Sequence, residues 1–335
     1  MSWIPETRNA IRHHLQTTAG IANPSPKAKS LIMALTLLTC IFELMIDASG
    51  YGAILALESL PVQVITFLYT GPPLSQFDIC LLAGYQYLQA ALSLVRDQDS
   101  FLAGIQFREP APRSELSQNL DITAAHHLSH LLILLARCNA RSIQCLKQAR
   151  HVVQARFPNG FKSASLQETL GTPLLDFGKS VFENAFELLE LVGRIFPNPV
   201  VDPIDPEGFN SALIAFYHSV VISVARLFTD TLWGSVGKPP AADEMPHLES
   251  HALTALAILE RKLVSVGAES LFYLPLMPVI ALEIRQLDDK RHVIKILNDI
   301  ASIGFIVAGT YKTDIQLAWD LTDNQSTDLH LENSC

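Results

Sequence analysis

Charge is scarce in this chain, and positive charge most of all. Only 17% of the 335 residues are Asp, Glu, Lys or Arg, and 24 basic side chains face 33 acidic ones, for a formal net charge of −9. Proteins that grip a nucleic-acid backbone do so with clustered Lys and Arg that displace counterions. Direct nucleic-acid binding is therefore not expected. Paired cysteines are missing too: Cys40, Cys80, Cys138, Cys145 and Cys335 are odd in number, scattered, and form no CxxC. That excludes a disulfide framework and a close-spaced zinc site. The start, MSWIPETRNAIRHHLQ, lacks the short basic stretch, apolar core and cleavage site of a secretory signal. An intracellular location, nucleus or cytoplasm, is expected. GxSxG, a P-loop and GxGxxG are also absent, so hydrolase, kinase and nicotinamide-dependent chemistry have no motif here.

What the chain has in quantity is apolar surface. Hydrophobic residues make up 49% of it, and a chain of this size hides roughly three quarters of its unfolded surface on folding. The run GFNSALIAFYHSVVISVA, Gly208 to Ala225, reaches spanning length, but Asn210, His218 and three serines would be costly in lipid. It is expected as a buried helix, and no membrane span is expected.

Helical periodicity runs from end to end without a convincing alternating strand. The expected fold is all-α: one large multi-helix bundle with an apolar interior over 1–312, followed by an acidic tail over 313–335. Asp121 is a candidate N-cap for a helix whose Leu128, Leu131, Leu132, Leu135 and Cys138 share a stripe, and PNG at 158–160 should stop it. Further helices are expected over PLLDFGKSVFENAFELLELVGRIF, from about Phe209 to Trp233, and near 249–266 and 289–310, with Pro275 and Pro278 interrupting between the last two. The tail carries five acidic residues and no Lys or Arg, interleaved with Leu317, Trp319, Leu321, Leu329 and Leu331. Such a segment suits a groove on a partner protein.

Several segments together resemble a known family. They are NAIRHHLQTTAGIANPSPKAKSLIMALTLLTCIFELM, the GP at 71–72, DSFLAG at 99–104, ESLFYLPLMPVIAL at 269–282 and NDIASIGF at 298–305 ahead of Trp319. This set resembles the regulatory (middle) domain of fungal zinc-cluster transcription factors, over roughly residues 9 to 320. The resemblance implies an all-helical domain in which Glu43 is the buried acid ending a long apolar helix, and a role in regulating fungal secondary metabolism. The family's six-cysteine cluster, basic helix and coiled-coil linker have no counterpart in this sequence, so DNA binding is not implied. The partners it implies are a protein or a small apolar ligand, and the sequence is compatible with a homo-oligomer.

Two acids inside the apolar segment FELMIDASGYGAILALE, Glu43 and Asp47, stand one helical turn apart. A buried carboxylate must accept hydrogen bonds or line a polar spot in a cavity, which makes Glu43 the candidate pocket contact. HHLSH sets His126 and His130 at metal-ligand spacing, but without HExxH or a third ligand the pair reads as helix surface. An alternative to a regulatory protein is a standalone enzyme binding an isoprenoid or polyketide, comparable to class I terpene cyclases, which hold Mg2+ against a diphosphate between acidic helices. Under that reading Asp97, Asp99 and Asp230 are the metal ligands, while Arg226 and Tyr311, which is followed by Lys312, assist catalysis. No DDxxD is present, and the segments NDIAS and LDDKRH match such motifs only in part. Under the regulatory reading no cofactor is expected.

Overall fold

A computed structural model describes residues 25–58, 75–95, 120–157, 169–197, 209–263 and 267–332, together with His13, Thr17 and Val64. The fold is all-α, and among the described residues there is no strand. The helices are α1 (Pro26–Ile46), α2 (Tyr51–Glu58), α3 (Gln76–Val95), α4 (Leu120–Arg156), α5 (Thr172–Ile195), α6 (Phe209–Leu227), α7 (Leu248–Lys262), α8 (Leu276–Ala281), α9 (Leu287–Ser302) and α10 (Val307–Glu332). The chain divides into two compact units: Met1–Gln89, Arg108–Ile122 and Leu263–Cys335 form the first, Ala90–Phe107 and Thr123–Lys262 the second. The residues read as one domain, 1–312, are shared between both.

In the first unit, Ser25 caps α1 by accepting from the Ala28 amide at 3.3 Å, and Pro26 fits the first helical turn, where its missing N–H costs nothing. The helix ends at Ile46 because Asp47 turns extended and becomes a turn-builder. Its Oδ1 accepts from the Ser49 amide (2.9 Å) and hydroxyl (2.6 Å), and its Oδ2 from the Gly52 amide (2.9 Å) at the start of α2. Gly50 holds φ +67° inside this turn, a conformation that favours glycine. The acid pair noted in the sequence therefore separates: Asp47 shapes a corner, while Glu43 is 0% exposed. Asp47→Ala is expected to lower stability by ~1–2 kcal/mol through lost capping; a urea midpoint indistinguishable from wild type would contradict this.

Ser75 and Asp78 cap α3 reciprocally, the serine hydroxyl donating to Asp78 Oδ2 at 2.6 Å and accepting from the Asp78 amide at 3.2 Å. The Ser30 hydroxyl donates to the other Asp78 oxygen, tying α1 to α3. Among the described residues, α1 alone is long and apolar enough to cross a membrane by length and composition. Within it Thr36, Thr39 and Glu43 are at most 2% exposed, so these three polar side chains are covered by protein.

Pro275 and Pro278 do interrupt the chain, leaving a 3-10 turn (Ala268–Phe272) and the short α8. The stretch expected as one helix near 289–310 is two, α9 and α10, because the chain breaks at Ile303–Ile306 with Gly304 at φ +109°. α10 then runs through the boundary at 312–313 to Glu332, so most of the expected tail is helical. Ile315 and Trp319, at 3% and 9% exposure, anchor it. The Trp319 indole N–H donates to the Ala281 carbonyl at 2.8 Å, and the Lys290 ammonium lies 5.1 Å from the ring centre.

In the second unit, the expected α4 stripe is buried: Leu128, Leu131, Leu132, Leu135 and Cys138 are at most 4% exposed. α4 begins at Leu120, which puts Asp121 in the first turn instead of at the cap, and it ends at Arg156, ahead of the PNG. Val181, Phe182, Ala185, Leu188 and Val192 of α5 pack with Val220 and Val224 of α6 and with the α4 stripe around Trp233. The helix expected to reach Trp233 stops at Leu227, because Asp230 caps a separate 3-10 turn, Thr231–Ser235. α6 itself is buried on most sides from Leu213 to Ala225, as the apolar run suggested.

Candidate functional site

Three elements of the second unit, α6, α7 and the 3-10 turn Ala242–His247, pack together and bring polar side chains into an otherwise apolar region. α6 supplies Tyr217 and His218, the turn supplies Glu244, and α7 supplies His251. The Nδ1 atoms of His218 and His251 lie 2.7 Å apart, and His251 Nε2 lies 3.3 Å from a Glu244 carboxylate oxygen. Exposure rises along the row: His218 is 8% exposed, the His251 side chain 14% and the Glu244 side chain 45%. At its inner end, His218 Nε2 is covered and has no hydrogen-bond partner among the described residues.

These contacts fix where the protons sit. An ionised carboxylate only accepts, so His251 Nε2 carries a hydrogen toward Glu244. Two nitrogens 2.7 Å apart share one proton. With both rings neutral, that proton belongs to His218 Nδ1, and His218 Nε2 presents its lone pair. Adding a proton at His218 Nε2 lets the shared proton pass to His251, which places the positive charge beside Glu244. Burial first, and the neighbouring His251 second, pull the His218 pKa down to about 4, so the ring is neutral near pH 7. Tyr217 flanks the pair of imidazoles, 5.0 Å from His218 and 6.3 Å from His251 between ring centres, and Phe196 lies 5.7 Å from Tyr217. Burial, then the Glu244 charge, raises the Tyr217 pKa.

Little in the linear order of residues signals this row. His218 stood out only as a polar residue in an apolar run, and His251 lies 33 residues further on. No spacing rule links residues on two helices and an intervening turn.

The residues singled out from the sequence fall in different places. Glu43 is fully buried in α1, where its negative charge adds to burial in raising the Cys40 thiol pKa. The described cysteines, Cys40, Cys80, Cys138 and Cys145, are free thiols. Asp97 and Asp99 lie outside the described residues. Asp230 accepts from the Leu232 amide at 2.9 Å through Oδ1 and from Arg150 at 2.6 Å through Oδ2. Partial burial works to raise its pKa, but those hydrogen bonds and the Arg150 charge outweigh it and hold the carboxyl below the ordinary range. Arg226 is exposed in the last turn of α6. Tyr311 belongs to the first unit, on α10, where burial and then Asp314 push its phenol up to about 12. The His126 side chain lies outside those described, and His130 is half-buried on α4. Among the described residues no group of three or more His, Cys, Asp or Glu gathers to hold a metal ion.

Both Asp230 oxygens are thus engaged, one as a cap and one by an arginine. Asp230→Ala is expected to destabilise the protein by ~1–2 kcal/mol through the lost cap, whereas Arg150→Ala, whose guanidinium is largely exposed, should cost no more than about 1 kcal/mol. Equal losses in chemical denaturation would assign the effect to the ion pair instead.

No family model, curated protein or solved structure matches the chain.

Proposed function

We propose that this chain is a regulatory, ligand-responsive protein of the fungal zinc-cluster middle-domain type. It works inside the cell, in nucleus or cytoplasm, in the control of secondary metabolism. It has no DNA-binding module among its sequence features and acts through a protein partner or a small apolar ligand. One observation carries this reading: Trp319 of α10, the tryptophan that follows NDIASIGF in the resemblance, donates its indole N–H to the carbonyl of Ala281, inside the ESLFYLPLMPVIAL segment, at 2.8 Å. The buried Glu43 at the end of an apolar helix supports it as well, as does a charge of −9, which disfavours contact with phosphates.

The test is a fusion of the full chain to a heterologous DNA-binding domain driving a reporter. Output should move away from that of the DNA-binding domain alone, and the unfused chain should not retard a DNA duplex at low salt. A silent fusion, combined with a hydrocarbon product from farnesyl or geranylgeranyl diphosphate and Mg2+, would overturn the regulatory reading in favour of a cyclase.

A further inference from the structure

Among the described residues of the second unit, the buried side-chain polar atom without a hydrogen-bond partner is His218 Nε2. Buried imidazole nitrogens ordinarily have partners, and each exception calls for a reason. Here the rest of the ring is tightly specified: Nδ1 is engaged by His251, which is engaged by Glu244. Such a chain fixes both the orientation and the tautomer of its terminal imidazole, just as a second hydrogen bond does for a working histidine. Its specificity is wasted if the terminal atom only faces apolar neighbours, and a lone pair left without a donor in a low-dielectric region is destabilising.

We propose that His218 Nε2 is the polar anchor of a binding site for a small aromatic molecule bearing a hydroxyl, of the phenol or enol class. The inference rests on the ligand-responsive reading above and names the chemistry of that ligand. A neutral imidazole lone pair selects a hydrogen-bond donor, so an O–H group fits and a carboxylate or a carbonyl does not. The Tyr217 ring, 5.0 Å from His218 between ring centres and backed by Phe196 5.7 Å further on, supplies a face for an aromatic body. Glu244 and His251 are positioning residues: they hold the acceptor tautomer and would share any positive charge that the ligand's proton brings. Because Nε2 is covered, uptake requires neighbouring side chains to part. The geometry offers one polar contact and an apolar surround, the usual composition of a small-molecule site.

The probes are 2-naphthol and naphthalene, which share a shape and differ by one hydroxyl. With the full chain, binding is followed by calorimetry and by 15N-detected imidazole NMR. Naphthol should bind saturably and shift the His218 Nε2 resonance, and naphthalene should bind about tenfold more weakly, the scale of one buried hydrogen bond. His218→Phe should remove that tenfold preference, with circular dichroism reporting whether the variant is folded. Glu244→Leu, at a more exposed position, keeps the test decisive if His218→Phe does not fold: by removing the acceptor for His251 Nε2–H it should reduce the naphthol preference and alter the His251 tautomer signal. Equal affinity for the two probes, or a preference that survives His218→Phe, overturns the anchor while leaving the regulatory reading to its reporter test. A His218 Nε2 resonance that neither probe moves overturns the proposal outright.

Discussion

Trp233→Ala is expected to destabilise the second unit by ~3–5 kcal/mol, the range for truncating a large buried aromatic. Trp233 is 1% exposed and lies among Phe182, 5.5 Å away, and Phe228, 5.1 Å away, between ring centres. Its indole N–H donates to the Leu227 carbonyl at 3.1 Å, which the end of α6 leaves free of a helical partner. The Ser142 hydroxyl of α4 donates to the same carbonyl at 3.4 Å. The tryptophan thus fills the core and also terminates a helix. Trp233→Phe keeps most of the volume and loses the donor, so it should recover more than half of the loss. Thermal or urea unfolding of the two variants measures the split, and a Phe variant as unstable as the Ala variant would show that the N–H dominates.

Acidification gives the other large effect. Between the ordinary histidine value of 6.5 and the value of about 4 that His218 has in the folded protein, the unfolded chain binds a proton that the native one refuses. Stability is therefore unaffected by this group above pH 6.5, falls as pH drops through the window, and levels off below about 4. The slope reaches at most one proton, and the total is about 3 kcal/mol at ~1.4 kcal/mol for each pKa unit. The direction is opposite to that of a histidine stabilised by an ion pair. His218→Gln, which stays neutral, should flatten the dependence over this window. Unfolding free energies measured from pH 7 to pH 4 check it. A wild-type profile that is flat there would mean that His251 and Glu244 stabilise the charged pair as well as water does.

Among α4, α5 and α6 the second unit has a packed apolar core, in which Leu131, Leu188 and Val224 are each 0% exposed. Its cysteines, Cys138 and Cys145, behave as core side chains: burial raises their thiols to about 12 and about 11, far from the range in which a thiolate is reactive near neutral pH.

Sequence alone determined what depends on short-range periodicity and on composition. The all-helical character, the buried stripe of α4, the helix over α5 and the break around Pro275 and Pro278 were all legible, because a helix repeats its buried face every three or four residues and proline cannot continue one. Where the chain turned on a single backbone angle or side-chain cap, the same reading failed: Gly304 splits α9 from α10, and α6 stops at Leu227, short of its expected limit at Trp233, where Asp230 caps a separate turn. Only the tertiary structure decided the fate of polar residues. It sent Asp47 to a corner, one turn from Glu43, whose burial the sequence had led one to expect. It also joined Glu244, His251 and His218, because hydrogen bonds between separate elements depend on how helices pack, and no linear spacing records that.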